Sequence, residues 1–204
     1  MTNRNTVWFK ISGTCGILTP VFAFTCILLA VFLYPQFSWS NMALSDLGVA
    51  AGATSMLFNA GLIISGLLTL AFGSGLFKFL QEKALGQIGG FVFLLDALAL
   101  ISIGVFPENA KPMHYYASVA FFALFPTSMV LIAGAFLLMA KVKVGLFTLL
   151  AAIFAMAVWV VQFSIRPFHG VAIPETLSAL AASTWSMILG SRMLKVASGS
   201  TNRH

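Results

Sequence analysis

The sequence predicts an all-α, polytopic integral membrane protein: a single six-helix bundle, 1–204, with a short interfacial helix in its first outer loop. Three observations carry that prediction. Of the 204 residues, 60% are hydrophobic, and the mean hydropathy is +1.00. No soluble domain of this size hides so much apolar surface in one core, so the solvent must be lipid. Six apolar runs, at about 11–34, 54–76, 85–106, 115–140, 144–164 and 176–195, supply the roughly 20 residues that a helix rising about 1.5 Å per residue needs to cross hydrocarbon. Strand-like alternation is absent, and the runs are far longer than the roughly 10 residues of a barrel strand.

The first run follows a basic start, "MTNRNTVWFK", but continues to Tyr34. That is well past the roughly 7–15 residues of a cleavable core, and no A-x-A site follows, so it reads as a retained helix. Cys15 and Cys26 lie three turns apart on it, about 16 Å along the axis, too far to bridge each other. In the loop "PQFSWSNMALSDLGVAAGATS", Ser40 is placed to cap a short helix through Leu47, with Gly48 as its stop. Phe37, Trp39, Met42, Leu44 and Leu47 make that helix amphipathic, which suits the membrane interface. Asn41 and Ser45 are i, i+4 neighbours on its polar edge, with Asp46 beside them.

Asn59 lies about one turn inside the second run. The third, "GGFVFLLDALALISIG", holds Asp96 about 10 residues from either end. A carboxylate there costs at least about 2.5–3.5 kcal/mol on insertion scales, so it must be protonated, paired or facing water. The break "FPENAKPMHYY" precedes the fourth run, on which His114 and Ser118 share a face and Pro126 introduces a kink. Trp159 and Gln162 occupy the last turns of the fifth. The break "RPFHGVAIPE" leads into the sixth, with Pro174 at a first helical position and Glu175 in the first turn.

The formal charge of +6 is a topological signal, not a nucleic-acid signature. With the N-terminus in the cytoplasm, Arg4, Lys10, Lys78, Lys83, Lys141, Lys143, Arg192, Lys195 and Arg203 fall inside, and only Lys111 and Arg166 outside. That bias places both termini in the cytoplasm of a cell (plasma) membrane protein, with three loops outside. The acids sort the other way. Asp46, Glu108 and Glu175 occupy the three outer loops, one each, and His114 and His169 join them.

Each of these residues has a plain reading. Glu175 suits a helix N-terminus, His114 a helix cap, Asp46 a solvated loop and Arg166 an interfacial snorkelling cation. Together they suggest one polar pocket, with Ser45, Asp46, Glu108, His114, His169 and Glu175 as the candidate catalytic set. Asp46, His114, His169 and Glu175 are the candidate ligands of a divalent metal ion, and Asn41, Asn59, Asp96 and Arg166 the supporting polar residues. Metal-assisted hydrolysis needs such donors around an activated water, and a serine nucleophile needs His114 or His169 as base. No HExxH, G-x-S-x-G, nucleotide-binding or haem-attachment motif is present.

"SNMALSDLG", "FNAGLIISG", "IGVFPENAKPMHYYASVAFF" and "HGVAIPE" resemble the uncharacterised prokaryotic membrane family known as domain of unknown function 998, over roughly Trp8 to Leu194. The resemblance implies one six-helix unit and draws attention to Asn41, Ser45, Asp46, Asn59, Glu108, His114, His169 and Glu175. "FPE" followed by His and "FF" is also similar to eukaryotic multi-pass proteins of the DRAM and Sfk type. The function expected first is an interfacial enzyme acting on a lipid or lipid-linked substrate. The alternatives are a lipid- or partner-binding scaffold, and a small transporter or sensor using Asp96. Membrane lipid is the expected partner in each case, and oligomeric state is not encoded legibly.

Overall fold

The computed structural model describes the backbone of residues 3–201. Among the described residues the elements are α1 (Asn3–Phe32), a 3-10 helix (Leu44–Val49), α2 (Ala53–Phe79), α3 (Ala84–Val105), α4 (Met113–Leu138), α5 (Val142–Ile165) and α6 (Ala172–Thr201), with no strand. Arg203, counted above among the inner cations, lies outside the described residues, as does the side chain of Arg4. Five helices, α1 to α5, are long and apolar enough to cross a membrane, which defines a multi-pass membrane protein. α6 has ample length, 30 residues, but is not among those five. Three of its hydroxyls, on Thr176, Thr184 and Ser198, each donate to the carbonyl four residues back, whereas the buried Ser178 Oγ has no partner among the described residues.

The helices close into a ring. Each packs on its sequence neighbours, and α6 returns to lie along α1. The seam between α5 and α6 is the thinnest of the ring. The α1–α6 seam depends on two glycines facing each other: a Cβ on Gly13 would strike the Gly190 carbonyl, and one on Gly190 would strike the Gly13 carbonyl. Such backbone approach is how membrane helices gain packing without a hydrophobic drive between them. At the end of the ring that holds the chain termini, Lys78 donates to Asn5 Oδ1 (2.6 Å) and Lys141 sits 5.1 Å above the Phe79 ring. The middle of the ring is plugged by Trp185, with Phe93, Phe72 and Phe125 around it at centroid distances of 5.3, 6.0 and 6.3 Å. Trp185 Nε1 donates to Thr148 Oγ1 (3.1 Å), tying α6 to α5 in the core.

The expected amphipathic helix from Ser40 to Leu47 takes a different form. Residues up to Ala43 are turns, and the helix is a six-residue 3-10 segment, Leu44–Val49. It does not lie on the surface: Leu44, Ser45, Leu47 and Gly48 are buried against the end of the bundle. Ser40 does not cap it. Asp46 reaches back instead, accepting from the Ala43 amide (2.8 Å), because a carboxylate satisfies a free helix-start N–H.

Gly190→Val should force α1 and α6 apart. Overpacking of this kind costs about 1–3 kcal/mol, so thermal unfolding in detergent should occur well below the wild-type temperature. An unchanged midpoint would mean that the two helices do not meet backbone to backbone.

Candidate functional site

At the end of the ring opposite the termini, three loops are tied together by their main chains. The loop before α6 docks on the first loop, where Gly170 N–H donates to Ser40 O (2.8 Å) and Val171 and Ala172 N–H both donate to Met42 O (3.1 and 2.9 Å). Gly170 is obligatory there, since any Cβ would overlap the Met42 backbone. Gln162, near the end of α5, holds the same loop from below, with Nε2 donating to the carbonyls of Phe168 (2.9 Å) and Gly170 (3.1 Å). Asn59 of α2 donates to Gly48 O (2.8 Å), anchoring the 3-10 helix.

These anchors bring three carboxylates together. Glu175 accepts from the Leu44 amide at 2.6 Å, a bond spanning 131 positions in sequence. Glu108 accepts from Ser45 Oγ (3.3 Å) and is hydrogen-bonded to Asp46. The charges of Asp46 and Glu108 both act on Glu175. Burial pushes the Glu175 carboxyl up to about 8, opposed by the Leu44 amide and reinforced by the neighbouring acids. Burial likewise raises Glu108, helped by the charge and hydrogen bond of Asp46 and countered by Ser45 and the charge of His114. No Lys or Arg figures among the charges acting on either glutamate.

His114 is buried on the first turn of α4. It touches no carboxylate directly. Its Nδ1 lies 2.7 Å from the Phe106 carbonyl, and its Nε2 faces Ser118 Oγ at 3.3 Å. Beneath this cluster a cavity of about 130 Å³ descends into the ring, lined by residues of α1, α2, α3, α4 and α6. Ser45, Ser118 and Glu175 stand at its acidic end, and Phe72, Phe93 and Trp185 lie deeper. Most of the wall is apolar. Asp96 and Ser65 also line it, both buried, and Asp96 Oδ1 and Ser65 Oγ have no hydrogen-bond partner among the described residues.

The other sequence candidates fall elsewhere. His169 is exposed on the loop whose backbone does the docking. Arg166 is exposed and ends α5 in a left-handed conformation (φ 53°). Asn41 is exposed and bonded to Ser38 and Ser40, its immediate neighbours. Among the described residues, no group of three or more His, Cys, Asp or Glu side chains is set to hold a metal ion, so Asp46, His114, His169 and Glu175 do not form the expected ligand set. The expected Ser45–histidine pairing is also replaced: Ser45 bonds Glu108, and the serine at His114 is Ser118. The i, i+4 spacing of His114 and Ser118 was the available signal, although it carries no motif. Gln162 was visible only as a polar residue near a helix end.

Fold and site together define a multi-pass helical membrane protein with a mainly apolar internal cavity that Glu175 and Asp96 line. Residues 17–192 match the family described as Protein of unknown function (DUF998), and the chain belongs to that family. No curated protein and no solved structure matches it, so the DRAM and Sfk likeness rests on its short motif alone.

Both raised carboxyls bind protons more tightly in the folded chain. The stabilisation from Glu175 is complete below its ordinary value of 4.5 and is lost as pH rises through about 8, and Glu108 has the same sign. The melting temperature in detergent should therefore climb as pH falls from about 9 towards about 5. Glu175→Gln, which keeps an acceptor for Leu44, should flatten that climb. A midpoint that rises with pH across the same window would contradict the site's electrostatics.

Proposed function

We propose that this protein binds one amphiphile, a lipid or lipid-linked molecule, with its chain in the central cavity and its polar end against the acid cluster. One observation carries the reading. Glu175 stands at the end of a cavity whose walls are mainly apolar, with Asp46 and Glu108 acting on it from behind and no Lys or Arg opposing Glu108 or Glu175. An apolar shaft of this kind accepts hydrocarbon, and carboxyls at its end recognise a cationic or donor-rich head such as an ammonium, an amine or a cluster of hydroxyls. An anionic head offers no charge to stabilise the ionised acids and would be repelled by them once they ionise, so the expected ligand is not an acidic phospholipid.

In this reading α6 is the sixth span and the acidic end faces outward, with both termini in the cytoplasm of the cell membrane. The positive-inside bias of the loops supports that orientation. Reporter fusions after Asn109 and after Gly170 should report the outside, and one after Lys141 the inside. A cytoplasmic signal at Asn109 would reverse the face on which the ligand enters.

A cation seated by Glu175 favours its ionised form and expels a proton. Affinity for a long-chain quaternary alkylammonium should therefore rise with pH, by up to about tenfold per unit below pH ~8. Titration calorimetry of the detergent-purified protein would read both the affinity and the proton release. Glu175→Gln should weaken binding and flatten the pH dependence, and an alkyl sulfate of equal chain length should bind far less. Equal affinity for the two detergents would sink the proposal.

A second reading, ion or proton movement through Asp96, has one observation in its favour: the unpartnered Asp96 Oδ1 and Ser65 Oγ on the cavity wall. Under it, vesicles carrying the wild type would dissipate a proton or sodium gradient and vesicles carrying Asp96→Asn would not. Tight vesicles in both cases would remove that reading.

A further inference from the structure

The contacts of His114 set Ser118 apart from five other helical hydroxyls of this chain. Thr19, Thr25, Thr69, Ser102 and Thr127 each donate to the carbonyl four residues back, at 2.7–2.8 Å. That is the usual way a hydroxyl is satisfied in an apolar helix. Ser118 has the same choice and makes a different bond: its Oγ meets the His114 ring, not the His114 carbonyl.

The tautomer follows from the other side of the ring. Nδ1 lies 2.7 Å from the Phe106 carbonyl oxygen, which can only accept, so Nδ1 carries the proton. In the neutral ring Nε2 then presents a lone pair, and Ser118 donates to it at 3.3 Å. Ser118 keeps part of its surface and lines the cavity, while His114 is buried behind it. A nucleophile, a base in reach of it, and a third group fixing the base is the arrangement that activates a hydroxyl. Ser45 lacks it, since its partner is the Glu108 carboxyl, within a pair of hydrogen-bonded acids.

We infer that Ser118 and His114 form a nucleophile–base pair that cleaves an acyl ester in the amphiphile held by the cavity. The inference rests on the amphiphile-binding reading above. In the first step Ser118 Oγ bonds to the ester carbonyl carbon as its proton passes to His114 Nε2. The carbon–alkoxy bond then breaks, and the leaving oxygen takes that proton as a free alcohol. In the second step water attacks the acyl-serine, His114 removes its proton, and the bond to Ser118 Oγ breaks. The same proton returns to the serine, leaving a carboxylic acid. Water is the only co-reactant, and no electron transfer is involved.

A long-chain alkyl fluorophosphonate tests the pair on the intact, detergent-purified protein, because an activated serine displaces its fluoride and keeps the phosphonyl group. The wild type should gain one adduct, mapped by peptide mass spectrometry to Ser118. Ser118→Ala should gain none there, and His114→Gln should label about 10²–10⁴-fold more slowly. An inert quaternary alkylammonium of the same chain length should protect the wild type. An adduct on another residue, or labelling no faster than in heat-denatured protein, would overturn the inference, and since both are read on the wild type, misfolding of a variant cannot obscure them. Saturable alkylammonium binding without serine labelling would overturn the nucleophile alone. Labelling of Ser118 without alkylammonium binding would support the pair and overturn the cationic head preference.

Discussion

The hydrogen bond from the Leu44 amide to Glu175 joins the first loop to the start of the last helix, and the acidic end of the molecule is organised around it. A carboxyl at the edge of an apolar bundle must be hydrogen-bonded, protonated or neutralised, since leaving it bare costs more than one good contact returns. Here two of those remedies are combined. Leu44 supplies a donor, and burial shifts the group towards its neutral form. The same constraint recurs next door, where Asp46 and Glu108 hydrogen-bond each other. Proton binding by Glu108 and Glu175 stabilises the folded chain, and under the proposed function a cationic head would take the place of those protons, linking occupancy to pH.

The ring explains why the cluster has a cavity beneath it. Six helices closed through an α1–α6 seam enclose a centre that their side chains must fill. The aromatic plug around Trp185 fills the middle but not the acidic end. On α6 the hydroxyls of Thr176, Thr184, Ser186 and Ser198 are satisfied within the helix. The main-chain docking of the loop before α6 fixes the height of Glu175 relative to Leu44, so the acid cluster depends on backbone geometry as much as on its own side chains.

Much of this was readable from residue types alone. Long apolar runs dictate helices because lipid leaves no other outlet for the backbone, and scarce acids gathering in alternate loops must share one end of the molecule. That reasoning places Asp46, Glu108, His114 and Glu175 together, as the structure does. It misplaces His169, because a residue beside a docking glycine belongs to a segment whose backbone, not its side chain, is in contact. It also draws the first loop's helix from Ser40 to Leu47, where the structure has a 3-10 segment, Leu44–Val49, packed on the bundle: apolar residues such as Leu44 and Leu47 look alike whether they face lipid or the bundle interior. Ser118 was legible as a neighbour of His114 but not as its partner, since the choice between the ring and the carbonyl four residues back is a matter of rotamer and tautomer.

An amphiphile held inside the ring with its head at the acids would leave its chain end deep among the aromatics. A quaternary alkylammonium carrying a diazirine at the far end of its chain would test this most directly, after irradiation and mapping of the adducts. Adducts should fall on the cavity-lining aromatics Phe72, Phe93 and Trp185 and be lost when unlabelled ligand competes. Adducts confined to exposed apolar residues of α5 such as Leu150, Ile153 and Val160, indifferent to competitor, would contradict it.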